Sequence, residues 1–228
     1  SMFGFQRIGD LAWAAGDSRS RGFLLGATAG RTTLNGEGLQ HEDGHSHLLS
    51  ATIPNCVSYD PCFSYELAVI MQNGLERMIK NQEDIFYYIT LMNENYQHPD
   101  MPKNINEDII KGIYKVSESK VKEPKVQLMG SGVILREVIE AANILEKDFK
   151  VNSTIFSVTS FTEVRRNSLD VERWNMLNPD QAEKKSVLDE IIHDLESPII
   201  SATDYMKSFA EQIATFLPNK FISLGTDG

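Results

Sequence analysis

The stretch VQLMGSGVILREVIEAANILEKDFKVNSTIFSVTS, residues 126–160, decides the fold class. The apolar run VQLM leads through the short turn GSG into a helix pattern that places Ile134, Val138, Ala142 and Leu145 on one face. A second run rich in β-branched and aromatic residues, STIFSV, follows this helix. A strand, a helix and a strand in this order predict a right-handed βαβ unit whose two strands are parallel.

The rest of the chain repeats this alternation of strands and helices. Further strands are predicted at 23–30, 55–59, 84–91, 198–204 and 221–225, and further helices at 5–20, 62–80, 169–177, 178–195 and 205–217. The sequence therefore predicts two α/β domains, each with a mostly parallel sheet covered on both faces. We expect them to span residues 1–95 and 125–228, and prolines, asparagines and lysines indicate a linker over 96–124.

Composition argues against several classes of partner. The 228 residues carry a net charge of −10 and no basic cluster, which argues against binding to a nucleic acid backbone. No apolar run approaches the roughly 18 residues of a membrane span, and we expect no signal peptide. The two cysteines fit neither a disulfide framework nor a common zinc pattern. These features predict a cytoplasmic protein without a nucleic acid or membrane partner.

The polar loop NGEGLQHEDGHSH, residues 35–47, contains three of the five histidines and follows a predicted strand. Since parallel sheets bind ligands at the carboxyl ends of their strands, this loop is a candidate active site. Glu37 and His41 are a candidate acid/base pair, because imidazole titrates near neutral pH. The residues alone leave two alternatives open: a metal site built on His41, His45 and His47, or a polar loop without a ligand.

Two other patterns give weaker signals. The GSG turn at 130–132 opens a helix and is compatible with phosphate binding, but the pattern favours a plain tight turn into the helix. His98 and His193 have no supporting constellation, so we expect surface histidines at both positions.

Ten stretches of the chain carry a family resemblance: MFGFQRIGDLAWAAGDSRSRGFLLGATAGRTTLNGEGLQHEDGHSH, IPNCVSYDPCFSYELAVIM, GLERM, YYITLMNENY, KGIYK, VQLMGSG, FSVTSFTE, ERWNML, SATDYMK and LGTDG. They resemble the homodimeric bacterial type of pyruvate dehydrogenase, a thiamine-diphosphate-dependent member of the transketolase-like family. They occur in order along essentially the whole chain. The segment HEDGHSH also resembles the GEDGPTHQP-type loop of the wider family.

The resemblance implies the second half of a pyrimidine-binding domain at 1–95, then a truncated transketolase-like C-terminal domain at 125–228. It implies an oxidoreductase that acts on an oxo group with a disulfide acceptor. Such an enzyme decarboxylates pyruvate oxidatively and acetylates a lipoyl group on its acyltransferase partner. It also implies a homodimer with thiamine diphosphate and Mg²⁺, whose magnesium ligands lie outside this sequence. We expect this fragment to be inactive alone.

The resemblance also implies roles for individual residues. Phe3 matches the aromatic side chain that packs on the aminopyrimidine ring, and His41 matches the histidine that faces the bound substrate. Glu37 matches a nearby active-site acid. Asp43 and His47 stand where the transketolase-type loop supplies substrate contacts, although they could instead hold the shape of the loop.

Two other classes of function are weighed against the enzyme. The C-terminal region could serve as an isolated dimerisation or assembly module, and the histidine loop could belong to a metal-binding protein.

Overall fold

A computed structural model of the chain describes residues 2–27, 29, 41–92, 94–119 and 124–226, without the side chains of residues 2–4. The first half contains α1 (Met2–Asp17), β1 (Phe23–Ala27), α2 (Ser46–Ser50), β2 (Cys56–Tyr59), α3 (Ser64–Leu75), a π-helical turn (Glu76–Lys80), β3 (Phe86–Leu91) and α4 (Asn106–Lys111). The second half contains β4 (Tyr114–Glu118), β5 (Lys125–Gly130), α5 (Ile134–Phe149), β6 (Asn152–Ser157), α6 (Phe161–Leu177), α7 (Val187–Ile191), β7 (Ile199–Met206), α8 (Lys207–Glu211), a 3₁₀ turn (Ala214–Phe216) and β8 (Phe221–Thr226).

The strands form two sheets, which confirms the predicted α/β class. The first sheet has the order β1-β3-β2 and is parallel throughout. The second has the order β4-β6-β5-β7-β8 and is parallel except for the pairing of β4 with β6. The predicted βαβ unit is β5-α5-β6, and α5 buries Leu135, Val138 and Ala142. Among the described residues, none of the helices is long and apolar enough to cross a membrane.

Three helices differ most from their predicted bounds. The predicted helix at 169–177 begins earlier, at Phe161, because the Ser160 side chain accepts a hydrogen bond from the Glu163 N–H and caps the first turn. The helix expected over 178–195 is only α7, since NPDQAEKK offers no apolar stripe to bury. The helix expected from Tyr205 begins at Lys207, because β7 continues to Met206 with alternate residues buried.

The predicted linker over 96–124 contains regular structure. It includes α4 and β4, and β4 pairs antiparallel with β6 at the edge of the second sheet. Gly112 ends α4 at φ 101°, and a Cβ there would lie 2.6 Å from the Ser160 carbonyl oxygen. The second sheet therefore begins before the predicted domain limit at residue 125. The division into domains itself stays a prediction.

The two sheets meet at the carboxyl ends of their strands. The Asp60 N–H, directly after β2, donates to the Thr159 carbonyl oxygen at 2.7 Å. The Gly132 N–H, just after β5, donates to the Asp60 carbonyl oxygen at 3.0 Å. These two backbone bonds place the ligand-binding edges of both sheets against each other.

Candidate functional site

The polar loop of residues 35–47 follows β1, and the structure describes this loop from His41 onward. Asp43 is fully buried, and its Oδ1 accepts hydrogen bonds from the backbone N–H groups of His45 at 3.1 Å and Ser46 at 2.9 Å. The Ser46 hydroxyl donates to Oδ2 of the same carboxylate. Asp43 therefore accepts hydrogen bonds from N–H groups at the start of α2 that have no partner within the helix. These bonds hold the end of the loop, where it enters α2, in place.

His47 lies in α2 and is enclosed by protein. Its Nε2 is 2.9 Å from the Thr90 hydroxyl oxygen. Its ring stacks on Phe209, with centroids 4.8 Å apart, and meets the Tyr205 ring edge-on at 4.9 Å. Burial lowers the pKa of His47 to about 4, and the nearby Asp43 carboxylate opposes that shift only in part. The imidazole is therefore neutral near pH 7.

Asp60 is the centre of a buried network of hydroxyl groups. Its Oδ1 accepts hydrogen bonds from the Thr90 hydroxyl at 2.7 Å and the Tyr205 hydroxyl at 3.3 Å. Its Oδ2 accepts one from the Ser131 hydroxyl at 2.8 Å. Burial raises the pKa of Asp60 to about 7, although these hydroxyl bonds favour the ionised form. The carboxylate thus joins the first sheet to the second.

Gly132 allows the second sheet to approach Asp60. Its φ is +50°, and a Cβ there would lie 2.5 Å from one carboxylate oxygen of Asp60 and 2.7 Å from the other. The GSG turn is therefore a tight turn that closes on a buried carboxylate, and this environment disfavours phosphate at the same place.

Glu66 is a second buried carboxylate at the junction of the sheets. Its Oε2 accepts the N–H groups of Cys62 at 2.6 Å and Phe63 at 2.8 Å. Its Oε1 accepts the hydroxyls of Tyr114 and Ser157, both at 2.7 Å. Burial raises the pKa of Glu66, and these four hydrogen bonds oppose the rise.

Asp60 lies just before the helix that follows β2 but does not cap it. The helix begins at Ser64, and Glu66 in its first turn satisfies the preceding N–H groups. The Asp60 carboxylate instead bonds with hydroxyl groups from both sheets.

Two of the predicted site residues, Phe3 and His41, fall on neighbouring segments. His41 is half-buried at the described end of the loop. Phe3 lies in the first turn of α1, but its side chain is outside the described residues, and so is all of Glu37. The amide nitrogen of Gln6 lies 3.4 Å from Nδ1 of His45. The first turns of α1 and the end of the loop are therefore adjacent.

The predicted substrate contacts of Asp43 and His47 stay predictions. Both side chains are buried, with exposed fractions of 0% and 1%, and both bond to protein groups. These contacts match the alternative in which the two residues hold the shape of the loop.

The described part of the chain contains no group of three or more histidine, cysteine, aspartate and glutamate side chains arranged to hold a metal ion. His47 faces Thr90 and three aromatic rings, while the His45 ring faces Gln6. The two imidazoles therefore have different protein partners.

Sequence reasoning missed the hydroxyl groups that join the two sheets. Thr90 is the penultimate residue of β3, Ser131 follows β5, and Tyr205 lies near the end of β7. A search for polar residues at the carboxyl ends of all predicted strands would have found Asp60, Thr90 and Ser131. It would have missed Tyr205, because that residue was predicted to begin a helix.

The shifted pKa values of Asp60 and His47 predict opposite dependences of stability on pH. Asp60 holds a proton in the folded protein up to about pH 7, but loses it near pH 4 when unfolded. Its contribution to the free energy of unfolding therefore falls as pH rises from 4 to 7, by at most about 1.4 kcal/mol per pH unit. His47 takes up a proton near pH 6.5 when unfolded but only near pH 4 when folded, so its contribution rises from pH 4 to 6.5.

Urea unfolding at several pH values isolates these contributions when wild type is compared with each variant. The stability of wild type minus that of Asp60→Asn should fall from pH 4 to 7 and then level off. The same difference for His47→Asn should rise from pH 4 to 6.5. Differences that stay flat over these windows would contradict the assigned shifts.

Comparisons with known proteins match nearly the whole chain. The family model "pyruvate dehydrogenase E1 component middle domain" matches residues 1–99, and the model "transketolase-like TK C-terminal domain" matches residues 112–228. Proteins named pyruvate dehydrogenase E1 component from Pseudomonas aeruginosa and Escherichia coli K12 are 61% and 59% identical over 100% of this chain. The chain spans 26% of the length of each of these relatives.

Solved structures show the same fold at low sequence identity. A transketolase from Campylobacter jejuni superposes with a TM-score of 0.68 at 18% identity, covering 100% of this chain and 30% of that one. A transketolase from Leishmania mexicana gives a TM-score of 0.66 at 14% identity, covering 100% of this chain and 29% of that one. With the two family models matching successive halves, the chain belongs to the pyruvate dehydrogenase E1 component family of transketolase-like proteins.

Proposed function

We propose that the chain is part of a thiamine-diphosphate-dependent pyruvate dehydrogenase and that its polar loop forms one wall of the active site. The observation that carries this proposal is the 57–61% identity, over the entire chain, to E1 components from three bacteria. The reaction is the oxidative decarboxylation of pyruvate, with transfer of the acetyl group to a lipoyl group on an acyltransferase partner. We place the enzyme in the cytoplasm as a homodimer.

In this proposal His41 faces the substrate. A half-buried imidazole can donate a hydrogen bond or a proton to the pyruvate carboxylate or to the oxygen on which charge develops. Glu37 is proposed as the neighbouring acid. It lies outside the described residues, and its role rests on the resemblance of the loop alone.

The cofactor site fits the placement of α1 beside the loop. Phe3 is proposed to pack on the aminopyrimidine ring, and its position in the first turn of α1 puts it close to the segment that carries His41. Thiamine diphosphate, held with Mg²⁺ by residues outside this chain, supplies the electron sink of the reaction. The residues of this chain orient the substrate and hold a proton at the His41 imidazole.

Asp43 and His47 are proposed chiefly to hold the loop in place. The Asp43 carboxylate is occupied by three donors from the protein. Within the described residues, Nδ1 of His47 has no hydrogen-bond partner. A predicted substrate contact through His47 would therefore have to use Nδ1.

The test uses the full-length protein that contains this chain. We expect it to decarboxylate pyruvate and acetylate a lipoyl acceptor only when thiamine diphosphate and Mg²⁺ are both present. The isolated chain, which spans 26% of the relatives' length, should be inactive. Turnover without thiamine diphosphate, or turnover by the isolated chain, would contradict the proposal.

A further inference from the structure

The Thr90 hydroxyl links His47 to Asp60 in a defined direction. A hydroxyl group has one proton to donate and two lone pairs that accept. When Asp60 is ionised it can only accept, so the Thr90 hydroxyl donates to its Oδ1 at 2.7 Å, and the Thr90 oxygen accepts from Nε2 of His47 at 2.9 Å. In that state His47 carries its proton on Nε2, and the hydrogen bonds run from His47 through Thr90 to Asp60.

Groups from the second half of the chain donate hydrogen bonds at both ends of this series, to Asp60 and to the loop that precedes His47. The Tyr205 and Ser131 hydroxyls donate to Asp60. The Met206 N–H, at the end of β7, donates to the Gly44 carbonyl oxygen at 3.1 Å. The end of the loop is thus hydrogen-bonded to the second sheet directly, through the Gly44 carbonyl oxygen. It is also linked to that sheet indirectly, because the His47 imidazole bonds to Thr90, and Thr90 bonds to the Asp60 carboxyl group that Tyr205 and Ser131 contact.

We propose that Thr90 and Asp60 are positioning residues for the loop that carries His41, and that the second half of the chain clamps this loop through them. Asp43 and Gly44 are fixed by hydrogen bonds, and only Glu42 separates His41 from Asp43. A displacement of the hydrogen-bonding groups that clamp the loop therefore displaces His41 as well. The kinetic consequence rests on the proposed function, because a displacement of about 1 Å at a reacting group can cost about 100-fold in rate.

The matched variants are Thr90→Val and Thr90→Ser in the full-length protein with thiamine diphosphate and Mg²⁺. Valine keeps the shape of threonine but removes the hydroxyl, whereas serine keeps the hydroxyl. We expect Thr90→Val to lower kcat about 10-fold, while the dissociation constant for thiamine diphosphate stays within about twofold of wild type. Thr90→Ser should keep kcat within about threefold of wild type.

Hydrogen exchange tests the clamp without any measurement of activity. Peptides covering residues 41–50 should exchange faster in Thr90→Val than in wild type, and at the wild-type rate in Thr90→Ser. Peptides from α6 should be unchanged in both variants. Unchanged exchange at 41–50 in Thr90→Val overturns the clamp, whatever happens to kcat. If the wild-type protein fails to decarboxylate pyruvate, the proposed function fails, and the exchange result still decides the clamp.

Discussion

Replacing His41 with alanine is expected to lower kcat for pyruvate decarboxylation at least about 100-fold in the full-length protein. Alanine removes the imidazole that would donate to the substrate carboxylate or to the developing oxyanion. The dissociation constant for thiamine diphosphate should change by less than about threefold, since we assign His41 to the substrate. Steady-state kinetics and a cofactor titration measure the two effects separately.

A surface histidine provides the matched control. His193 is exposed and follows α7, and we give it no role in the site. The same replacement there, His193→Ala, should leave kcat at the wild-type value. Wild-type kcat in His41→Ala would remove the proposed role, as would a loss of cofactor affinity as large as the loss of kcat.

Glu66→Ala is expected to lower the free energy of unfolding by about 4 kcal/mol. The substitution leaves two backbone N–H groups and two hydroxyls buried without the acceptor that the carboxylate supplies. Each buried donor that loses its partner costs about 1–3 kcal/mol, and some will find water as the structure relaxes. Urea denaturation measures the loss.

Glu76→Ala is the control for this prediction. Glu76 stands in the π-helical turn that continues α3, but its carboxylate is exposed and pairs with Lys80 at the surface. Its removal should leave the stability unchanged within error. If Glu66→Ala is as stable as Glu76→Ala, the buried network does not hold the two sheets together.

Local patterns predicted the central βαβ unit well. The apolar spacing that predicted α5 corresponds to the buried face, on which Val138 and Ala142 lie as expected. The predicted ends of helices and strands were wrong where a single capping side chain, or an alternation of buried and exposed residues, determined where the element begins or ends. Ser160 starts α6 well before the expected position, and β7 extends through Tyr205 because its alternate side chains are buried.

The candidate site could be predicted only in part. The order of strand and loop placed His41 at the carboxyl edge of the first sheet. The network around Asp60 joins residues that are far apart in sequence, such as Thr90 and Tyr205. No local pattern encodes such a meeting, because it depends on how the two sheets dock.

The docking of the two sheets has a consequence for chimeric proteins. Asp60 lies directly after β2 and Glu66 in the first turn of α3, and their carboxylates accept hydrogen bonds from four hydroxyl groups of the second half. These groups belong to Tyr114, Ser131, Ser157 and Tyr205. A second half transplanted from another transketolase-like protein must therefore supply donors at these positions, because a matching backbone alone would leave Oδ2 of Asp60 and Oε1 of Glu66 buried without partners.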